Sequence, residues 1–183
     1  MQADPALTRA KARLLLALVA QLQPLIAQSA AYDQEITCLF RLHSDSRAFA
    51  SLPRAATRLA PRLLAEWGDD RERYADAASV QALAGTAPVA FQSGKFATVH
   101  RRYACSKPLR NALHQFAWQS IQKEPWARAY YQRKRQEGKS HSMAVRALAN
   151  QWVRIIYAFW VKHEAYDATI FLAAQQAHAP RAA

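Results

Sequence analysis

Ser106-Lys107-Pro108-Leu109-Arg110-Asn111-Ala112-Leu113-His114-Gln115-Phe116-Ala117-Trp118-Gln119-Ser120-Ile121 decides the fold class. Ser106 is placed to cap a helix with Pro108 in its first turn, where a missing N–H costs nothing. Leu109, Leu113, Phe116 and Ile121 then recur at helical spacing and predict a buried stripe. Arg110, His114 and Trp118 face elsewhere. The helix N-terminus, flanked by Lys107 and Arg110, is physically a good seat for a phosphate.

Upstream, Phe96-Ala97-Thr98-Val99-His100-Arg101-Arg102-Tyr103 is the stretch with strand character, so a short hairpin arm or an extended loop is expected there. It comes directly after Gln92-Ser93-Gly94-Lys95. Between Ser93 and Arg146 the chain carries twelve Lys or Arg against Glu124 and Glu137, a net +10 of the chain's +12. A serine before a glycine at the edge of such a positive field reads in two ways. It is a nucleophile aimed at a phosphate, or a turn residue beside a solvated basic face.

Downstream, a helix is predicted from Pro125 to about Gln136, with Trp126, Ala129 and Tyr130 inward and Arg128, Arg133, Lys134 and Arg135 outward. Gly138 ends it. Ser140 or Ser142 caps a last long helix with a core stripe of Leu148, Trp152, Ile155 and Phe159. Trp118 and Trp126 are taken as core residues rather than stacking platforms. After Tyr166-Asp167 the composition thins to Ala, Gln and Pro, and residues 168–183 read as a frayed tail.

Residues 5–42 also have a helical pattern, with Leu7, Leu14, Leu18, Leu22 and Leu25 three, four or seven apart and Ile36, Leu39 and Phe40 resuming the stripe. Asp4 suits the cap, and Pro24 is expected to kink or divide the helix. Lys11 and Arg13 before Leu14–Ala20 imitate a signal peptide, but Gln21, Gln23 and Gln28 break up the residues beyond Ala20. No stretch is judged long enough to span a bilayer, so a cytoplasmic helix is expected, packing as a coiled coil or helical hairpin within the chain or with a second copy. Phe49 to Gly68 reads as a helix–turn–helix around Ser51-Leu52-Pro53-Arg54. Its shape resembles a helix-hairpin-helix whose turn has Arg54-Ala55-Ala56 in place of the glycines that let backbone N–H groups meet a phosphate. Arg54 and Arg58 could substitute as charges, and a plain packing hairpin is equally consistent. Asp69-Asp70-Arg71-Glu72-Arg73-Tyr74 is expected to be a solvated helix start, followed by a short helix from Ala77 to Leu83 ending at Gly85.

The 183 residues are 51% hydrophobic, with five Trp, seven Tyr, seven Phe and only four Gly. This excludes a disordered chain and favours helix over sheet. The expected fold is all-α. A long coiled-coil-like helix (1–47) precedes a compact helical domain (48–167) with a degenerate helix-hairpin-helix and at most a short β-hairpin. The basic excess, with a pI near 10.2, points to a polyanion, nucleic acid ahead of membrane. Cys38 and Cys105 cannot make a disulfide framework or a four-ligand zinc site, and the six His form no metal motif.

Gly85-Thr86-Ala87-Pro88, Ser93-Gly94-Lys95 and Leu109-Arg110, in that order, resemble the C-terminal transposase domain of the insertion-sequence "one-ten" family, the DEDD transposases that act as RNA-guided recombinases. Ser51-Leu52-Pro53, Ala60-Pro61-Arg62, Trp126-Ala127-Arg128, Gly138-Lys139-Ser140-His141, Ala144–Ala149 and Tyr166-Asp167 keep the family's order and spacing from Phe49 to Asp167. The resemblance implies that residues 5–42 end a coiled-coil connector and that Ser93 is the nucleophile that attacks a DNA phosphodiester. Lys95, Arg101, Arg102, Lys107 and Arg110, with Arg54 and Arg58, are then the nucleic-acid-binding residues. It implies DNA and a structured guide RNA as partners, self-association through the first helix, and a cytoplasmic, nucleoid-associated location with no membrane. The family's N-terminal RuvC-like domain and its four acidic residues have no counterpart, so divalent metal such as Mg²⁺ is expected with that domain and not in this chain. The chain is expected to be a truncated part, incomplete as an enzyme alone. A non-catalytic nucleic-acid-binding or dimerising remnant is the alternative.

Overall fold

The computed structural model describes residues 4–94 and 96–177. They form eight α-helices, one 3₁₀ turn and two strands, in two compact units, 1–42 and 43–183. The all-α expectation with one short hairpin therefore holds.

The first unit is one helix, α1 (Pro5–Leu42). Asp4 caps it, its Oδ1 accepting the N–H of Ala6 at 2.9 Å. Pro24 lies inside without dividing it. No α1 residue is buried, and Leu7, Leu14, Leu18, Leu22, Leu25 and Ile36 are all exposed. The judgement that no stretch could span a bilayer does not stand. The residues from Leu14 to Tyr32 carry no charge, and by length and composition alone the helix, with an 18-residue stretch of mean hydropathy 1.5, is long and apolar enough to cross one. The glutamines interrupt the apolar run without adding charge, so they do not shorten it below that length.

In the second unit α2 (Ser46–Ala50) and α3 (Ala56–Trp67) flank a tight turn, and Gly68 ends α3 with φ +86°. The 3₁₀ turn (Arg71–Arg73) and α4 (Ala77–Leu83) lead into strands β1 (Pro88–Ser93) and β2 (Phe96–Arg101). Helices α5 (Lys107–Lys123), α6 (Pro125–Gln136), α7 (His141–Lys162) and α8 (Ala168–Ala177) complete the order. The core is α5 and α7 packed together, with α3 and α6 against α5 and α4 against α7. Ser106 and Ser140 cap α5 and α7 by accepting the N–H of Leu109 and Met143, each at 3.4 Å. Leu109, Leu113, Phe116 and Ile121 are buried as their spacing predicts. Each such side chain contributes roughly 1.5–3 kcal/mol against the entropy of ordering the chain.

Several details differ from the sequence reading. In α7 the stripe runs through Leu148, Trp152, Ile156 and Phe159, and Ile155, one step off it, is only half-buried. In α6 Trp126 and Ala127 are buried, but Ala129 is exposed because only the first turn of this helix reaches the core. Residues 168–177, read as a frayed tail, form α8, with the Phe171 ring 4.4 Å from that of Trp126. Arg71 is not a solvated helix start. It turns inward and grips the buried Asp45 through two hydrogen bonds of 2.6 Å, donates to the Trp160 carbonyl at 2.9 Å and lies 4.4 Å above the Trp160 ring. Asp45 and Arg71 are too far apart in sequence for any local pattern to announce the pair.

Several of the short motifs are tethers. Ser51 Oγ accepts the N–H of Tyr166 at 2.7 Å, and the Tyr166 hydroxyl accepts from Trp126 Nε1 at 3.0 Å and donates to Glu124 at 3.2 Å. Burial, with Glu124 beside it, keeps that phenol protonated far above its usual range. Thr86 donates to Asn150 Oδ1 at 2.9 Å, fastening the foot of the hairpin to α7. Gly85 has φ +63°, and a Cβ there would stand 2.7 Å from Cys105 Sγ. Only glycine lets the two ends of the arm close on each other.

Candidate functional site

Strands β1 and β2 form an antiparallel ribbon running from Pro88↔Arg101 at its foot to Ser93↔Phe96 at its tip. The sequence suggested only the second strand, because Pro88-Val89-Ala90-Phe91-Gln92 lacks the β-branched density that marked the other. Gly94 closes the tip with φ +57° and nothing within 4 Å of where a Cβ would be, so conformation, not space, selects glycine. Ser93 is exposed at this tip. Lys95 lies outside the described residues.

The register separates two groups that run together in the sequence. Arg101 is five residue steps from Ser93 along the ribbon, about 16 Å at strand rise. It is therefore not held beside the serine hydroxyl. Residues 88–101 contain no Asp or Glu, and His100 pairs with Val89, four steps from Ser93. Among the described residues of the arm, no general base stands next to Ser93.

At the foot, the arginines converge. Arg101, exposed, is held 5.5 Å from the ring of Tyr103, and Arg102 is half-buried. Lys107 is exposed in the first turn of α5, and Arg110, half-buried, points a guanidinium N–H at Cys105 Sγ at 3.8 Å. Burial first, and then the charges of His141, Arg146, Arg101 and Arg110, push the imidazolium of His114 below its usual range. Burial first, and then Arg101 and Arg110, likewise lower Arg146, with Tyr103 opposing them. Three arginines borne on helices and a strand, together with His141, thus act on one half-buried histidine. Among the described residues none of Arg101, Arg110 and Arg146 has a carboxylate partner. A cluster of that kind is an anion site by its electrostatics.

Arg54 and Arg58 belong to another corner, the α2–α3 turn. Arg54 has φ +61°, a left-handed conformation that costs a residue with a Cβ more than glycine. The turn keeps that geometry despite the Cβ.

Sequence reasoning missed Arg146, His114, His141, Tyr131 and Trp118. A signal was present: Arg110, His114 and Trp118 recur every fourth residue on the α5 face opposite the core stripe. Trp118, taken as core, is 43% exposed, whereas Trp126 is buried as expected. Among the described residues no group of three or more His, Cys, Asp or Glu is placed to hold a metal ion.

Residues 46–132 match the family model described as "Transposase IS116/IS110/IS902 family". The chain is similar to the mini-circle putative transposase for IS117 of Streptomyces coelicolor, 36% identical over 81% of this chain and 36% of that protein. It is also similar to the insertion element IS900 uncharacterized 42 kDa protein of Mycobacterium paratuberculosis, 34% identical over 73% of this chain and 34% of the relative. An IS110 uncharacterized 43.6 kDa protein of S. coelicolor is 30% identical over 77% of this chain and 35% of its own length. The chain spans about a third of the length of these curated relatives.

Proposed function

Because the chain belongs to the IS116/IS110/IS902 transposase family, we propose that it is the part of a transposase that grips DNA and presents Ser93 for strand cleavage and exchange. The observation that carries the reading is the Ser93-Gly94 pair at the exposed tip of a ribbon whose foot bears uncompensated arginines. The serine Oγ forms a bond to the phosphorus of a DNA phosphodiester, and the bond from phosphorus to one deoxyribose oxygen breaks. The serine proton passes to a base, and the departing oxygen leaves as a hydroxyl. Attack on the phosphoserine by a hydroxyl of another strand reverses these bonds and completes exchange.

The absence of an acid or base around Ser93 in the arm supports a site completed by groups outside residues 88–101, such as those of a RuvC-like domain. The Arg101–Arg110–Arg146 cluster holds flanking phosphates rather than the reacting one, by the separation along the ribbon. Lys107 and Lys95 add positive charge for the same partner, and Arg54 with Arg58 form a second phosphate contact at the α2–α3 turn. DNA is the first partner and a structured guide RNA the second, with a cytoplasmic, nucleoid-associated location. Any Mg²⁺ comes with the acidic domain.

The test is a denaturing-gel assay for a covalent protein–DNA species, with an acidic RuvC-like domain supplied in trans. The adduct is expected with the native chain and absent in Ser93→Ala, which still binds DNA. An adduct that survives Ser93→Ala would sink the catalytic role. The second reading, a non-catalytic nucleic-acid-binding remnant, is favoured by the lack of a base in the arm. It expects no adduct in either protein, and binding that weakens in Arg110→Glu.

A further inference from the structure

The chain has five tryptophans, and four of them, Trp67, Trp126, Trp152 and Trp160, are buried. Trp118 is the exception, at 43% exposed on the outer face of α5. It stands among rings from two other helices. His141, in the first turn of α7, is perpendicular to it at 4.7 Å, and Tyr131 of α6 is edge-on at 6.1 Å. The Tyr131 hydroxyl and His141 Nδ1 are joined by a 2.9 Å hydrogen bond that fixes both rings. All three pairings are T-shaped, each setting the edge of one ring towards the face of another, and none is a parallel stack. An exposed indole beside two rings joined by a hydrogen bond is an amphipathic aromatic surface open to a partner.

What covers it is indicated by its surroundings. Arg110, His114 and Trp118 lie on one face of α5, and His141 acts on His114 together with Arg146, Arg101 and Arg110. The rings and the uncompensated cations are therefore one neighbourhood, not two. A hydrophobic protein partner would have to bury those guanidinium groups unpaired, at a large desolvation cost. A nucleotide satisfies both halves, because its base offers a π face and its phosphate a negative charge. Double-stranded nucleic acid cannot use the rings, since its bases are already stacked.

We propose that Trp118, Tyr131 and His141 form a stacking site for an unpaired nucleotide, whose flanking phosphates rest on Arg101, Arg110 and Arg146. The site lies at the foot of the ribbon and is separate from Ser93. It rests on the reading of this face as a nucleic-acid surface and adds to it the recognition of single strands. Stacking on Trp118 also accounts for the exposure of that indole when the other four are buried.

Because Trp118 is the exposed indole of five, tryptophan fluorescence of the full chain reports this site directly. Titration with (dT)12 and (U)12 is expected to quench it, and a blunt DNA duplex of the same length to quench it far less. Trp118→Ala is expected to weaken single-strand binding about tenfold and duplex binding less than twofold. Trp118→Phe keeps a stacking ring, so it should bind single strands within a few-fold of the native chain while losing the quenching. Whichever oligonucleotide binds more tightly identifies the strand as DNA or RNA. Native single-strand affinity in both Trp118 variants, measured by anisotropy, overturns the stacking site while leaving the nucleic-acid surface intact. Failure of the native chain to bind either duplex or single strand overturns both.

Discussion

Arg54 and Arg71 are both arginines that the sequence offered as surface charges, and each is defined by something else. Arg54 sits at φ +61° in the α2–α3 turn, a conformation costing an L-residue about 1–2 kcal/mol. Arg54→Gly is expected to leave stability unchanged or slightly raised, and Arg54→Val to lower it by about 1 kcal/mol or more in urea denaturation. A clear loss in the glycine variant contradicts a left-handed turn. Arg71 neutralises Asp45, which is 1% exposed. Hydrogen bonding from Arg71, against the opposing effect of burial, holds the Asp45 carboxyl below its usual 3.8. With the folded pKa below the unfolded one, this contribution is complete above pH 3.8 and is lost as pH falls through the lower folded value. Removing the partner by Arg71→Ala strands a buried carboxylate and should cost about 3 kcal/mol at neutral pH. Denaturation at pH 7 that matches the native chain within error contradicts this. Neither role was legible, since one is a backbone angle and the other a contact between distant segments.

Elements were far easier to read than residues. The capped, periodic helices α3 to α7 announced themselves through Ser106, Ser140, Gly68 and their apolar stripes, because those signals are local. Strand β1 was missed because its partner, not its composition, makes it a strand. Helix α8 was missed because Phe171 docks on Trp126, a contact no composition encodes. Helix α1 was legible as a helix, and none of its residues is buried. We expect it to self-associate through the Leu14, Leu18 and Leu25 stripe. Leu18→Lys combined with Leu25→Lys should convert an oligomer to a monomer in sedimentation. An unchanged mass refutes that, as does a native chain that partitions into lipid vesicles instead of forming oligomers.

On the scale of the molecule, charge and core are segregated. The second unit buries Phe49, Trp67, Tyr74, Phe159 and Trp160 in one cluster of edge-to-face and tilted rings. Its candidate chemistry is placed at the rim, on Ser93 and at the foot of the ribbon. The basic segment was visible in the sequence as a block; its division into a distant tip and a crowded foot needed the strand register. A two-stranded ribbon with no buried residue is marginal in water on its own. On the proposed role, the arm that bears Ser93 is held by the contacts it makes on docking to DNA, and those contacts meet the cost of ordering it. On the role proposed for Ser93, the serine is then kept under a safety catch: alignment for attack comes from engaging DNA rather than from folding. A chain built this way exposes a hydroxyl to solvent without keeping it poised to react.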